Sequence, residues 1–215
     1  MGERRAQAIL QNPSSKLSCV VDEDHALAKE FSRRFGCDFY TDYLDAVKRE
    51  DVNVVIVAVP NKFHVAVSLE SIKQGKHVFC EKPLARNPEE ARLMVEAALE
   101  KGVYLKAGSN VRFFTNVIKA KELIDKGTIG KILFMRGWIG HSGWNLKPGS
   151  WFTNPEMIGG GTLLDNGCHM VDLVRWFMGE VRECIGHCSS LLHELNGLED
   201  NAFRLLTGLN GQTAI

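Results

Sequence analysis

Val52-Asn53-Val54-Val55-Ile56-Val57-Ala58-Val59, residues 52 to 59, decides the fold. It is a nearly continuous apolar run, too short for a buried helix and unlike the alternation of a half-wetted strand, so it reads as a strand covered on both faces of a parallel sheet. Working outward, the same grammar repeats. Residues 3 to 11 look helical, Leu17 to Val21 is a short strand ending at Asp22, and Asp24 to Phe35 is a helix with Ala26, Leu27, Phe31 and Phe35 inward. A strand over Cys37 to Tyr40 leads to a helix from Asp42. Downstream, His64 to Gln74 is a helix ended by Gly75, and His77 to Glu81 is a strand. Pro88 to Lys101 is a helix with proline at its start and Gly102 after it, and Tyr104 to Ser109 is a strand. Strict alternation of strand and helix predicts a Rossmann-type α/β domain, an open parallel sheet with right-handed crossovers and a ligand crevice at the strand carboxyl ends.

After Asn110 the pattern changes. A helix over Thr115 to Lys126, a long strand over Lys131 to Gly140, a Gly, Trp and Pro-rich stretch from His141 to Gly161, a helix over Thr162 to Met178, a strand from Val181 to about Leu192 and another over Ala202 to Leu206 segregate helices from strands. That predicts an α+β second domain. The expected division is residues 1–110, binding a nucleotide, and residues 111–215, binding substrate.

Composition excludes several classes. The 215 residues are 45% hydrophobic and 24% charged, with 26 basic against 26 acidic side chains. A net charge of zero gives no field toward nucleic acid or an anionic membrane. No apolar run approaches the ~20 residues of a membrane helix, and the N-terminus has no apolar core of a secretory signal. The six cysteines, Cys19, Cys37, Cys80, Cys168, Cys184 and Cys188, are scattered as buried thiols of a reducing compartment would be, so a cytoplasmic location is expected. Cys184, His187 and Cys188 invite a metal reading, but a strand splits them between faces and no fourth ligand is evident, so no metal is expected.

A dinucleotide fingerprint needs a strand, a G-x-G-x-x-G turn, a helix, and an acid about 20 residues on. Gly2 stands directly before a helix and Asp22 closes the next strand, so they read as the third glycine and the ribose-binding acid. On this reading the first strand and first two glycines are missing, and the gene product is expected to continue at both ends. The plainer alternative makes Asp22 a helix cap. A free acid at Asp22 favours NAD, with NADP possible.

Val57-Ala58-Val59-Pro60-Asn61-Lys62-Phe63-His64, followed by Val78-Phe79-Cys80-Glu81-Lys82-Pro83-Leu84-Ala85, resembles the Gfo/Idh/MocA family of sugar and cyclitol oxidoreductases. Gly159-Gly160-Gly161-Thr162-Leu163-Leu164-Asp165-Asn166-Gly167-Cys168-His169-Met170-Val171-Asp172 is similar to that family's substrate-site helix, and Gly108-Ser109-Asn110-Val111-Arg112-Phe113 to its inter-domain junction. The resemblance implies NAD(P), a second domain with an open, mostly antiparallel sheet left incomplete at Ile215, a sugar-like small-molecule substrate, and homo-oligomers formed through that sheet.

Hydride transfer from a secondary alcohol needs a base for the hydroxyl proton and a group that stabilises the alkoxide. A histidine is poised at ~6.5 while a lysine starts at ~10.4, so His169 is read as the base and Lys82 as the hydroxyl donor, with the reverse assignment open. Asp165 and His169, four apart, fall on one face of the expected helix with Asp172 and Trp176; Asp165 either orients His169 or binds a ring hydroxyl. Pro60, Asn61, His64 and Glu81 stand at strand ends where cofactor is expected. Asn110 and Arg112 stand at the junction, where substrate contact and an inter-domain ion pair compete. Trp138, Trp144, Trp151 and Phe152 can wall a sugar or pack a core, Trp151 being the preferred wall. The competing functions are a non-catalytic nucleotide-binding or dimerisation module, and NAD-assisted glycoside cleavage on the same fold.

Overall fold

The computed structural model describes residues 1–143, 147, 149–193 and 196–215. The chain divides into two compact units, Met1–Gly108 and Ser109–Ile215.

The first unit runs α1 (Gly2–Gln11), β1 (Cys19–Val21), α2 (His25–Phe35), β2 (Asp38–Tyr40), α3 (Tyr43–Val47), β3 (Val54–Val57), α4 (His64–Lys73), β4 (His77–Cys80), α5 (Pro88–Lys101) and β5 (Leu105–Ala107). All strand pairings are parallel, in two ladders, β1–β2 and β3–β4–β5. In the doubly wound order 3-2-1-4-5-6 these are the pair 3-2 and the block 4-5-6. The core lies on β3–β4–β5, where Val57, Ile72, Val78, Cys80, Met94 and Ala98 are buried together. Full burial of a side chain such as Ile72 or Met94 is worth about 1.5–3 kcal/mol.

Local signals set the helix ends. The Asp24 carboxylate accepts the Ala26 and Leu27 amides at the start of α2, and Gly36 closes that helix in the left-handed region. Asn87, Pro88 and Gly102 play the corresponding parts for α5. The inward face of α2 is the expected one only in part, with Phe31 and Phe35 covered. Ala26 and Leu27 are exposed, and Ala28 and Ser32 complete the covered stripe.

The second unit contains α6 (Thr115–Asp125), β6 (Phe134–Met135), α7 (Pro155–Ile158), α8 (Thr162–Asp165), α9 (Gly167–Met178), β7 (Val181–Ser189), β8 (Asn201–Gly208) and β9 (Thr213–Ala214). Its sheet has the order β6-β9-β8-β7, parallel between β6 and β9 and antiparallel elsewhere. Val174 and Met178 of α9 pack on Leu206 and Ala214 of the sheet. Two expectations are corrected here. The long strand over Lys131 to Gly140 shrinks to two residues, and the helix over Thr162 to Met178 is broken at Asn166.

Among the described residues no helix is long and apolar enough to cross a membrane.

Candidate functional site

In the first unit Asp22 follows β1, Pro60, Asn61 and His64 follow β3, Glu81 and Lys82 follow β4, and Gly2 stands at the start of α1. Gly2 opens α1, which has no side-chain cap, and a Cβ on Gly2 would stand 3.9 Å from the Ala58 Cβ. Asp22 follows β1; its amide donates to the Tyr40 carbonyl, and its Oδ1 accepts the Asp24 amide at 3.0 Å. Asp24, not Asp22, is therefore the cap of α2. The Asp22 side chain follows β1 and is exposed, as an acid that takes the ribose hydroxyls of a dinucleotide must be.

Beyond β3, Pro60 precedes a 3-10 turn over Asn61–Phe63, and Asn61 is buried. His64, only 1% exposed, begins α4. Its Nδ1 lies 3.0 Å from the Pro83 carbonyl oxygen and its Nε2 3.0 Å from that of Val59, so the ring ties the β3 loop to the β4 loop.

Glu81 follows β4 with its amide donating to the Val57 carbonyl. Its carboxylate is buried and accepts from Arg5 Nε at 2.6 Å, while the Arg5 guanidinium lies 4.8 Å from the Phe79 ring centroid. A Cβ on Gly108 would come within 2.9 Å of Glu81 Oε2 and 3.0 Å of Glu81 Cα, so this carboxylate needs glycine at the end of β5. Lys82 is half-buried, and its bond to Pro83 is cis. Beneath the turn, burial pushes the Cys80 thiol up to about 12.

In the second unit, Asp165 ends α8 while His169 lies in α9, so the single helix face expected for them is interrupted at Asn166. A Cβ on Gly167 would stand 2.5 Å from Arg204 Nη2 and 3.0 Å from Leu163 Cδ1, so both side chains would have to shift for any larger residue. His169 is 8% exposed, with Nδ1 3.4 Å from the Ser109 hydroxyl. Arg112 grips Asp172 with two hydrogen bonds, 2.7 Å from Nε and 2.5 Å from Nη2, and lies 5.3 Å from the Trp176 ring centroid. The junction arginine thus makes an ion pair inside its own unit. Asn110 precedes the short turn that carries Arg112. Trp151 stacks on Phe152 at 3.8 Å between centroids and packs on Ile158 and Leu198. Trp138 is 95% exposed, and Trp144 lies outside the described residues.

Sequence reasoning missed Arg5, Ser109 and Glu199. The Glu199 carboxylate accepts the Gly161 and Leu163 amides, each at 2.9 Å, and its carbonyl accepts the Thr162 amide at 2.9 Å, capping α8 from across the sequence. A Cβ on Gly161 would lie 2.0 Å from the Glu199 carbonyl oxygen, which explains the last glycine of the Gly159–Gly161 run. No local pattern announces such a contact. On β7, Cys184 and Cys188 share a face that His187 does not, and among the described residues no three metal-binding side chains cluster.

Comparison with known proteins places these features in a family. Residues 1–109 match the model described as oxidoreductase family, NAD-binding Rossmann fold, and residues 117–215 match the GFO/IDH/MocA C-terminal domain. Levoglucosan dehydrogenase of Pseudarthrobacter phenanthrenivorans is 34% identical over 165 residues, covering 75% of this chain and 42% of that protein. Inositol 2-dehydrogenase of Rubrobacter xylanophilus is 32% identical over 169 residues, covering 78% and 46%. Among solved structures, GenD2 from gentamicin A biosynthesis in complex with NAD superposes with a TM-score of 0.88 at 29% identity, covering 100% of this chain and 61% of that one. The chain spans about half the length of the curated relatives it matches. With both of its units matched, one to the NAD-binding Rossmann fold and the other to the C-terminal domain, the chain belongs to the GFO/IDH/MocA oxidoreductase family.

Proposed function

We propose that this chain is the nucleotide-binding and substrate-binding part of an NAD-dependent oxidoreductase acting on a hydroxyl or ketone of a sugar, cyclitol or related polyol. The observation that carries the reading is the anchoring of the Lys82 turn. Glu81 is held by Arg5 on one side of Lys82, and the Pro83 carbonyl by His64 on the other, at the strand end where open α/β sheets bind ligands. A turn held this way offers its lysine to a substrate oxygen from a fixed backbone position, which favours proximity catalysis.

Each residue has a stated part. Gly2 at the start of α1 receives the pyrophosphate, Asp22 the ribose hydroxyls, and Pro60 and Asn61 line the cofactor side, with His64 and Glu81 holding their loops. A nicotinamide, when bound, takes up or gives up the hydride. Lys82 donates a hydrogen bond to the substrate oxygen. His169 accepts the hydroxyl proton, its ring oriented by Ser109 through Nδ1, and the reversed roles of Lys82 and His169 remain the competing assignment. Asp165 and Asn110 bind ring hydroxyls, Trp151 offers an aromatic wall, and Arg112 supports the site through Asp172. NAD is favoured over NADP because the exposed acid Asp22, at the end of β1, would repel the extra phosphate. The named relatives, which act on an anhydrosugar and an inositol, support the polyol class.

The test is NADH formation by the protein against a panel of anhydrosugars, pyranoses and inositols, with NADH binding followed separately by fluorescence. Turnover on at least one polyol is the expected result. NADH binding without turnover on any member would favour a non-catalytic nucleotide-binding module, and no binding at all would remove the nucleotide reading.

A further inference from the structure

We infer that Arg5 is a positioning residue for Lys82: its guanidinium holds the buried Glu81 carboxylate against the end of β5 and so fixes the turn in which Lys82 is the next residue.

Three independent contacts converge on this assignment. The Arg5–Glu81 bond is 2.6 Å long, with side-chain exposures of 26% and 7%, so the carboxylate has left water and depends on its cation. The flat side of the same guanidinium covers Phe79, two residues before Glu81 on β4, which sets the angle from which Arg5 arrives. Gly108 leaves the space that the carboxylate fills, since any Cβ there would press on both Glu81 Oε2 and the Glu81 backbone.

Arg5 also sits in the first turn of α1, the helix whose start is assigned to the pyrophosphate. A single side chain thereby joins the proposed phosphate-binding element to the proposed hydroxyl-binding turn. Committed to Glu81 and Phe79, Arg5 does not serve as a reader of a 2′-phosphate. Lysine at this position keeps the charge but lacks the planar fork and the stacking surface, so it substitutes only in part. Without a cation, the Glu81 carboxylate is left buried beside Lys82 in the chain, and the ammonium of Lys82 is drawn to it.

This inference rests on the reading of Lys82 as the substrate-oxygen partner, but its test does not require turnover. The measurement is trace acetylation by acetic anhydride, with the rate at Lys82 read by mass spectrometry relative to Lys73, whose side chain is 74% exposed. In Arg5→Ala the Lys82 rate should fall by roughly threefold or more while Lys73 is unchanged, and in Arg5→Lys it should stay within about twofold of wild type. An unchanged Lys82 rate in a folded Arg5→Ala protein overturns the inference, as does an equal fall at Lys73. If Arg5→Ala does not fold by circular dichroism, Arg5→Gln takes its place, and failure of both to fold assigns Arg5 to stability and also overturns the inference. A Lys82 response in a protein that never forms NADH would sink the polyol reading alone. Turnover with an unresponsive Lys82 would sink only the role given to Arg5.

Discussion

Replacing Glu199 with alanine should destabilise the second unit selectively, by an amount that its contacts define. The carboxylate accepts two backbone amides, from Gly161 and Leu163, at 2.9 Å each. Hydrogen bonds to a charged group contribute about 1.5–3 kcal/mol each in favourable cases. Glu199 is half-buried, so solvent competes for both amides once the side chain is gone, and the lower part of the range applies: about 2–4 kcal/mol in total. Glu199→Gln keeps an acceptor but loses the charge and one bond, and should cost about half as much. The assay is urea unfolding followed by tryptophan fluorescence, which suits this chain because Trp138, Trp144, Trp151 and Trp176 all lie in residues 109–215. With an m value of about 1–3 kcal/mol/M, the midpoint should move down by about 1–2 M in Glu199→Ala. The cap argument is refuted if Glu199→Ala moves the midpoint by less than about 0.3 M, or if Glu199→Gln costs as much as Glu199→Ala.

Other outcomes follow from the first unit. Gly108→Ala should cost about 1–3 kcal/mol of stability, because the new methyl meets Glu81 backbone as well as its carboxylate; a thermal midpoint equal to wild type would contradict the close packing. Cys80 should resist a thiol reagent at neutral pH until the chain is denatured, whereas the exposed Cys184 and Cys188 react in the folded protein; comparable rates at Cys80 and Cys184 would be the contrary result. The Cys80 thiol is raised from 9.0 to about 12, so an unfolded chain loses its proton first as pH rises. The stability this thiol contributes is full below pH 9.0, and is lost progressively toward pH 12, which alkaline unfolding curves of Cys80→Ala against wild type would read. Asp22→Ala should weaken NAD binding by roughly tenfold and narrow its preference over NADP; fluorescence titrations that leave both affinities unmoved would take Asp22 off the ribose.

The parallel first unit was legible because its signals are local. The apolar run over residues 52–59 contains β3, Gly75 and Gly102 stop helices, and Asn87-Pro88 starts one. Polar residues at the ends of those strands followed from the fold. What the sequence concealed depends on residues far apart in the chain. The α8 cap comes from Glu199. Arg112 pairs with Asp172, 60 residues away, and Arg5 with Glu81, 76 residues away. Strand length in the second unit failed for a related reason: Lys131 to Gly140 has strand composition, but β6 is bounded by the two residues it pairs on β9. On α2, Phe31 and Phe35 are inward as expected but Ala26 and Leu27 are not, because the stripe continuing back from Phe35 and Phe31 reaches Ala28.

On the proposed function, Lys82 and His169 act on a polyol hydroxyl in an NAD-dependent oxidation. Its most direct measurement is the rate of NADH formation on the best polyol of the panel in wild type, Lys82→Ala and His169→Ala, with NADH affinity measured alongside. The account predicts that each substitution lowers kcat by about 100-fold or more while NADH affinity changes little. Turnover that survives both substitutions at near the wild-type rate would contradict it.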